Sequence, residues 1–282
     1  MTFDLLAASS IADNAQAMKW LAVPWVLECA YRACFPSLYL QRYAFWDTPL
    51  NSIIVDRTWA CVGELSWSFQ VAYALRQIDT DLTRGTGWVQ VLAWLSFVIY
   101  VAAECCSYYN TATTNELWAA IEVIVDAFSF VALAPAVWYL TYKSIAAPGK
   151  VWESSGKIYL VSMSVLCVVY PYFNFCKDAP MYLARYRQDE KDHKRYFSFL
   201  PGLIDAAERR VPTQNYADWQ ADMSWMTVYF TLGAWQGIAL MCGPRCLQKR
   251  LEDDGGHEEE GAVERLGEFT RLQEGNVYKL VV

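Results

Sequence analysis

From about residue 20 to residue 246 the chain is cut into apolar stretches of roughly 20 residues, several interrupted by one or two charged side chains. A helix needs about 20 predominantly apolar residues to cross a hydrocarbon layer ~30 Å thick, because each residue rises ~1.5 Å. Six segments meet that length. Residues 20–40 carry Glu28, Arg32 and Pro36, and residues 53–75 carry Arg57, Glu64 and Gln70. Residues 88–109 are uncharged until Glu104, and residues 117–142 hold Glu122 and Asp126 near their start. Residues 157–176 hold no charge after Lys157, and residues 223–242 hold none. The expected fold is all-α: a polytopic membrane bundle of six transmembrane helices over residues 1–246, followed by a disordered acidic tail, 247–282.

Composition agrees with this division. The chain is 55% hydrophobic and 19% charged, against about 25% charged in soluble domains. Nine of the residues from Leu247 to Val282 are acidic and five are basic. Net charge is −7, which argues against nucleic acid, since that partner is held by clustered Lys and Arg. The residues before Lys19 show no basic-then-apolar signal peptide. Basic residues flank the segments on one side (Lys19, Arg76, Arg84, Lys143, Lys157, Arg245) and are scarce in the short loops of the other. By the positive-inside rule both termini are cytoplasmic.

The connection 177–222 is too long for a plain loop. Its run Arg185 to Arg195 reads as a solvated helix. The segment 196–204 is apolar and aromatic but only about nine residues long, so it reads as interfacial or re-entrant; were it a span, there would be seven. Trp residues gather near helix ends, as at a membrane interface. Gly233 and Gly237 form a GxxxG that permits close helix approach. The cysteines read mainly as small buried hydrophobes, with a Cys29–Cys61 disulfide as the alternative.

Ionisable groups inside a membrane helix are costly and mark function by default. By helix rise, Glu64 lies about 17 Å in from the extracytoplasmic end of its segment and Arg57 about 6 Å. Glu104 lies about 8 Å from that face, and Glu122 and Asp126 about 8 and 14 Å, on one side of their helix. Glu64, Glu104, Glu122 and Asp126 are therefore the candidate acid/base residues. Arg57, Gln70, Tyr108, Asn115 and Asn174 are candidate binding residues beside them. Pro171 is expected to bend its helix and free a carbonyl there. Closely spaced carboxylates cannot all ionise, so at least one holds its proton and can serve as an acid. The structural alternative is ion pairing: Glu28 with Arg32 at i, i+4, and Arg57 with Glu64 or Glu122.

The only histidines, His193 and His257, fall outside the segments, and the segments hold no lysine apart from the terminal Lys157. A bis-histidine haem and a retinal Schiff base are thereby excluded, and no cofactor or metal is assigned. Any metal on these carboxylates would have to be a hard cation. A short helical bundle with Glu64 and Glu122 as isolated acids resembles the membrane-bound terpene cyclases in architecture and size, with no motif shared. That resemblance implies protonation of a lipophilic substrate by buried acids. Three functions follow as expectations: an enzyme acting on a lipophilic small molecule, a proton- or cation-coupled transporter, or a scaffold binding proteins through 177–222 and the tail. The absence of an internal repeat and of charge in the cytoplasmic half of the later segments favours the enzyme.

Overall fold

Two short, polar connections, residues 84–86 and 114–115, set the order of the central helices. The computed structural model describes residues 2–146 and 155–228, together with 234, 235 and 238. Its long helices are α1 (Thr2–Cys34), α2 (Ile53–Thr83), α3 (Gly87–Thr113) and α4 (Glu116–Ala146). After them come α5 (Ser155–Phe173), a π-helical turn (Asn174–Asp178) and α6 (Ala179–Lys191). Short helices α7 (Phe199–Glu208), α8 (Tyr216–Trp219) and α9 (Met223–Val228) complete the described chain. The protein is thus mostly helical. Three two-residue strands, β1 (Ser37–Leu38), β2 (Tyr43–Ala44) and β3 (Val211–Pro212), join the first loop antiparallel and then parallel to the segment after α7.

Among the described residues, three helical stretches are long and apolar enough to cross a membrane: Gly87–Thr113, Glu116–Ala146 and Lys157–Lys191. α1 and α2 match them in length, with 33 and 31 residues, but are more polar. Of the sixth expected span, 223–242, only residues 223–228, 234, 235 and 238 are described; the rest, with Gly233 and Gly237, falls outside the described residues, as does the tail. The fifth segment does not stop at Cys176: the helix runs on through the π turn to Lys191. Residues 177–222 are therefore a helical extension plus α7, not one loop. Residues 199–204 of the 196–204 stretch open α7, whose 10 residues extend only about 15 Å, half the thickness of a hydrocarbon layer.

Sequential helices pack as antiparallel neighbours, α1 on α2, α2 on α3 and α3 on α4, while α4 also receives α5 and α6. At the α2–α3 corner, Arg84 adopts a left-handed conformation (φ 65°) and closes α2. Buried Asp79 accepts hydrogen bonds there from the Thr86 N–H (2.5 Å) and the Thr83 hydroxyl (2.6 Å). At the opposite end, Thr114 (φ 57°) closes α3, and Asn115 caps α4 through the Leu117 N–H at 2.9 Å. The apolar core lies toward the α2–α3 corner, where Leu75, Ile78, Val89, Ala93, Val137, Leu140, Leu160 and Met163 pack together.

The other end is tied down by one arginine. Buried Arg42 donates to the carbonyls of Tyr39 (2.7 Å), Thr111 (2.6 Å), Ala112 (3.3 Å) and Gly202 (3.3 Å), and to Asp205 (2.9 Å). It thereby satisfies C-terminal carbonyls of α3 that have no helical partner and draws the first loop and α7 onto that helix end. α7 can approach this closely only because position 202 is glycine: an added Cβ would sit 1.9 Å from the Ala112 oxygen. Gly202→Ala is therefore expected to lower the unfolding free energy by at least about 1–3 kcal/mol, the usual scale of overpacking. Gly87→Ala, with nothing within 4 Å of the new methyl, should stay within about 0.5 kcal/mol of wild type. Thermal melting of the two purified variants checks the pair.

Candidate functional site

α1 and α2 meet across a glycine. A Cβ at Gly63 would lie 2.7 Å from the Glu28 Cβ, so the missing side chain lets a fully buried carboxylate seat between the helices. Glu28 pairs with Arg32 one turn on (3.0 Å). Arg32 also reaches Asp56 (3.3 Å) and Glu64 (3.6 Å) on α2, and Asp56 accepts a hydrogen bond from the Ser37 hydroxyl. The Glu28–Arg32 pairing expected from the sequence is thus present and extends further.

Arg57 is the second centre. Its Nη2 contacts Glu64 at 2.6 Å and Glu104 of α3 at 2.5 Å, and its Nη1 donates to Ser107 at 2.7 Å. Arg57 and Glu64 are seven residues apart, two helical turns, and so share one face of α2. Glu64 touches both arginines and joins α1, α2 and α3 into one charged cluster. The Tyr39 ring lies between the guanidinium groups, each 5.6 Å from its centroid. Burying one such pair is costly unless its partners are all in place. The cluster is therefore an all-or-nothing arrangement.

The facing wall comes from α4, α5 and α6. Glu122 accepts a hydrogen bond from the Asn110 amide of α3. Asp126 Oδ2 accepts one from the Tyr170 hydroxyl (2.6 Å), while its Oδ1 is buried without a hydrogen-bond partner. Asn174 donates to the Val123 carbonyl (3.1 Å) and so pins α5 to α4. Tyr170, Asn174, Asp178 and Tyr182 recur every fourth residue and all line the same cavity. In a regular α-helix this spacing drifts ~40° per step. The π turn at Asn174–Asp178, just past Pro171, is wider and offsets part of that drift.

Between these walls lies a cavity of about 140 Å³, lined by Arg32, Arg57, Glu64, Glu104, Glu122, Asp126 and Asp178, with Tyr39, Tyr100, Tyr170, Phe173 and Tyr182 among its rings. Its floor is aromatic. Trp67 packs on Tyr100 (6.2 Å between centroids) and Phe130 (6.0 Å), and Phe130 on Tyr170 (4.6 Å). Beneath this layer begins the apolar core.

Six expected site residues meet here: Glu64, Glu104, Glu122, Asp126, Arg57 and Asn174. Three do not line the cavity. Gln70 is six residues past Glu64, about 120° around the helix, and it donates instead to the Met18 carbonyl of α1 (3.0 Å). The Tyr108 hydroxyl bonds Thr58 on the outer side of α2 and α3 (3.0 Å). Asn115 is spent on the α4 cap. Tyr39, Tyr100 and Asn110 carried no sequence signal of their own, whereas the every-fourth-residue stripe Tyr170, Asn174, Asp178 and Tyr182 was readable. Cys29 and Cys61 are both free thiols, so they form no disulfide. Among the described residues, no three His, Cys, Asp or Glu side chains converge on a point that would hold a metal ion. Compared with known proteins, the chain matches no family model, no curated sequence and no solved structure.

Removing Arg57 alone strands Glu64 and Glu104. Arg57→Met is expected to cost about 3–5 kcal/mol, the scale for a buried charge left without its partner. Adding Glu64→Gln and Glu104→Gln should recover a substantial part of that loss. Melting of the single and triple variants tests this coupling; additive losses would mean the three side chains act independently.

Proposed function

We propose that this protein is an integral membrane enzyme of six transmembrane helices, performing acid/base chemistry on the polar end of a lipophilic small molecule. The outer surface supports the membrane setting. Val91, Val98, Ile158, Val165, Val168 and Val169 are all more than half exposed along the apolar helices. So extended an apolar face is unfavourable in water and suited to lipid. With both termini cytoplasmic, the Arg42-anchored end, α7 and residues 193–222 face the opposite side.

The observation that carries the catalytic reading is Asp126: a carboxyl group 8% exposed, on the wall of a cavity, held through one oxygen by Tyr170 while the other has no partner. Five lining carboxylates (Glu64, Glu104, Glu122, Asp126, Asp178) stand against two lining arginines (Arg32, Arg57). Electroneutrality in so enclosed a space requires protons on the excess carboxylates, which makes the chamber a store of acid. Arg57, fixed by Glu64, Glu104 and Ser107, supplies a permanent positive charge on the opposite wall. In this reading Asp126 exchanges a proton with the bound molecule, Tyr170 orients its carboxyl group, and Glu122 is the neighbouring acid. The aromatic floor and the apolar core beneath it favour a blind-ended reaction chamber over a conducting path. The cavity is near the size of one that holds a benzene ring, about 150 Å³, so it admits the reacting end of a lipophilic molecule and leaves the rest to lipid.

Native mass spectrometry of the protein in nanodiscs, with lipid extraction, tests the reading. Wild type should retain a small molecule that Asp126→Asn, with near-normal melting, loses or accumulates unreacted. Identical contents in both would remove Asp126 from the mechanism. Topology is tested separately in eukaryotic cells: a glycosylation acceptor introduced at His193 should be modified and one at Gly85 should not. The reverse pattern would invert the orientation.

A further inference from the structure

Building on the reading of the chamber as a small-molecule site, we infer that it takes the ammonium end of an organic cation. Both arginines are already committed, Arg32 to Glu28, Asp56 and Glu64, and Arg57 to Glu64 and Glu104. Among the described residues, no ion pair joins Glu122, Asp126 or Asp178 to a cation within 4.0 Å. The titratable groups acting most strongly on Asp126 are Tyr170 from α5, Glu64 from α2, Tyr100 from α3 and Glu122 on its own helix. The cations of the chamber, Arg32 and Arg57, line its other walls and pair with other carboxylates. Asp126 Oδ1, buried and without a partner, is the acceptor that such a guest would meet.

The surroundings choose among cations. A metal ion needs several carboxylate oxygens converging at ~2–2.6 Å, and no three acidic side chains converge in that way among the described residues. Dispersed carboxylates among Tyr100, Tyr170 and Phe173 suit a diffuse charge instead. Aromatic faces attract ammonium groups within ~6 Å of the ring centroid, quaternary ones included. An anionic headgroup would find five carboxylates opposing it and, of the Arg57 guanidinium, only the unpartnered Nε–H to meet.

Charge balance adds a second, independent consequence. If the excess carboxylates hold protons in the empty chamber, an incoming monocation replaces one of them. The carboxyl O–H is given up to solvent, its electron pair stays on the oxygen, and the ammonium ion restores neutrality. Binding should therefore release about one proton per cation.

The experiment is calorimetry on the full chain in nanodiscs, with choline and its uncharged isostere 3,3-dimethylbutan-1-ol as probes, in two buffers of different ionisation enthalpy. Choline should bind saturably, about tenfold or more tighter than the alcohol, with about one proton released, and Asp126→Asn should weaken it by about tenfold or more. Equal binding of the two probes, or choline binding without proton release, overturns the inference and leaves the small-molecule chamber standing. So does retention of an uncharged or anionic molecule by a protein that ignores choline. If native mass spectrometry finds no retained molecule and neither probe binds, the chamber reading falls with it. The proton count needs no variant, so a poorly folding Asp126→Asn does not shield the inference.

Discussion

Arg57 is the constraint on which the rest of the structure depends. Its guanidinium is 3% exposed and reaches Glu64 of its own helix and Glu104 and Ser107 of the next. A lone charge in such a place would be expelled or neutralised. The helix faces carrying these partners must therefore meet, and α2 and α3 are held in one rotational setting. Arg32 does the same between α1 and α2, through Asp56 and Glu64. Apolar packing brings long helices together with little preference for phase. Two buried guanidinium groups with shared carboxylates specify it.

Once that cluster is in place, the division of the molecule follows. Polar groups collect toward the Arg42 end, where loop carbonyls, α7 and the start of α2 supply partners. The other half is left to aliphatic packing. Aromatic residues occupy the boundary, because rings such as Trp67 and Tyr100 offer an apolar face below and a polar edge or hydroxyl above. The cavity lies above that boundary because the polar side chains lining it are drawn toward ion pairs and hydrogen bonds on different walls. Close packing across it would break those contacts. Arg42 contributes at a distance: by holding α7 and the first loop on α3, it keeps Tyr39 between the two arginines.

How far this was legible depended on whether a signal was local. The Glu28–Arg32 pair and the acids of three neighbouring helices follow from spacing along each helix. Lengths of apolar runs pointed to the long helices but not to all their ends: α1 covers Thr2–Cys34 where residues 20–40 are expected, because its polar first half carries no apolar run. Gln70 and Tyr108 were misjudged because proximity in sequence was allowed to stand for proximity in space, whereas helical phase turns Gln70 toward α1. Asn115 was misjudged because a cap and a site residue look alike before the corner is known. The run from Arg185 reads as a solvated helix, and α6 covers its first part to Lys191, but its continuity with the fifth helix was hidden, because the π turn that keeps Asp178 and Tyr182 inward has no compositional mark. Arg42 could not be found from sequence at all: its partners are carbonyls from three separate parts of the chain, and carbonyls are common to every residue.

The central claim of the proposed function is that the chamber stores protons on carboxyl groups that its two arginines cannot neutralise. Infrared spectroscopy of the purified protein at neutral pH addresses this directly, because a protonated carboxyl group has a carbonyl stretch that a carboxylate lacks. Such a band is expected in the wild-type protein, shifted on exchange into heavy water and reduced in Asp126→Asn and Glu122→Gln. A spectrum at neutral pH showing carboxylates alone would contradict it.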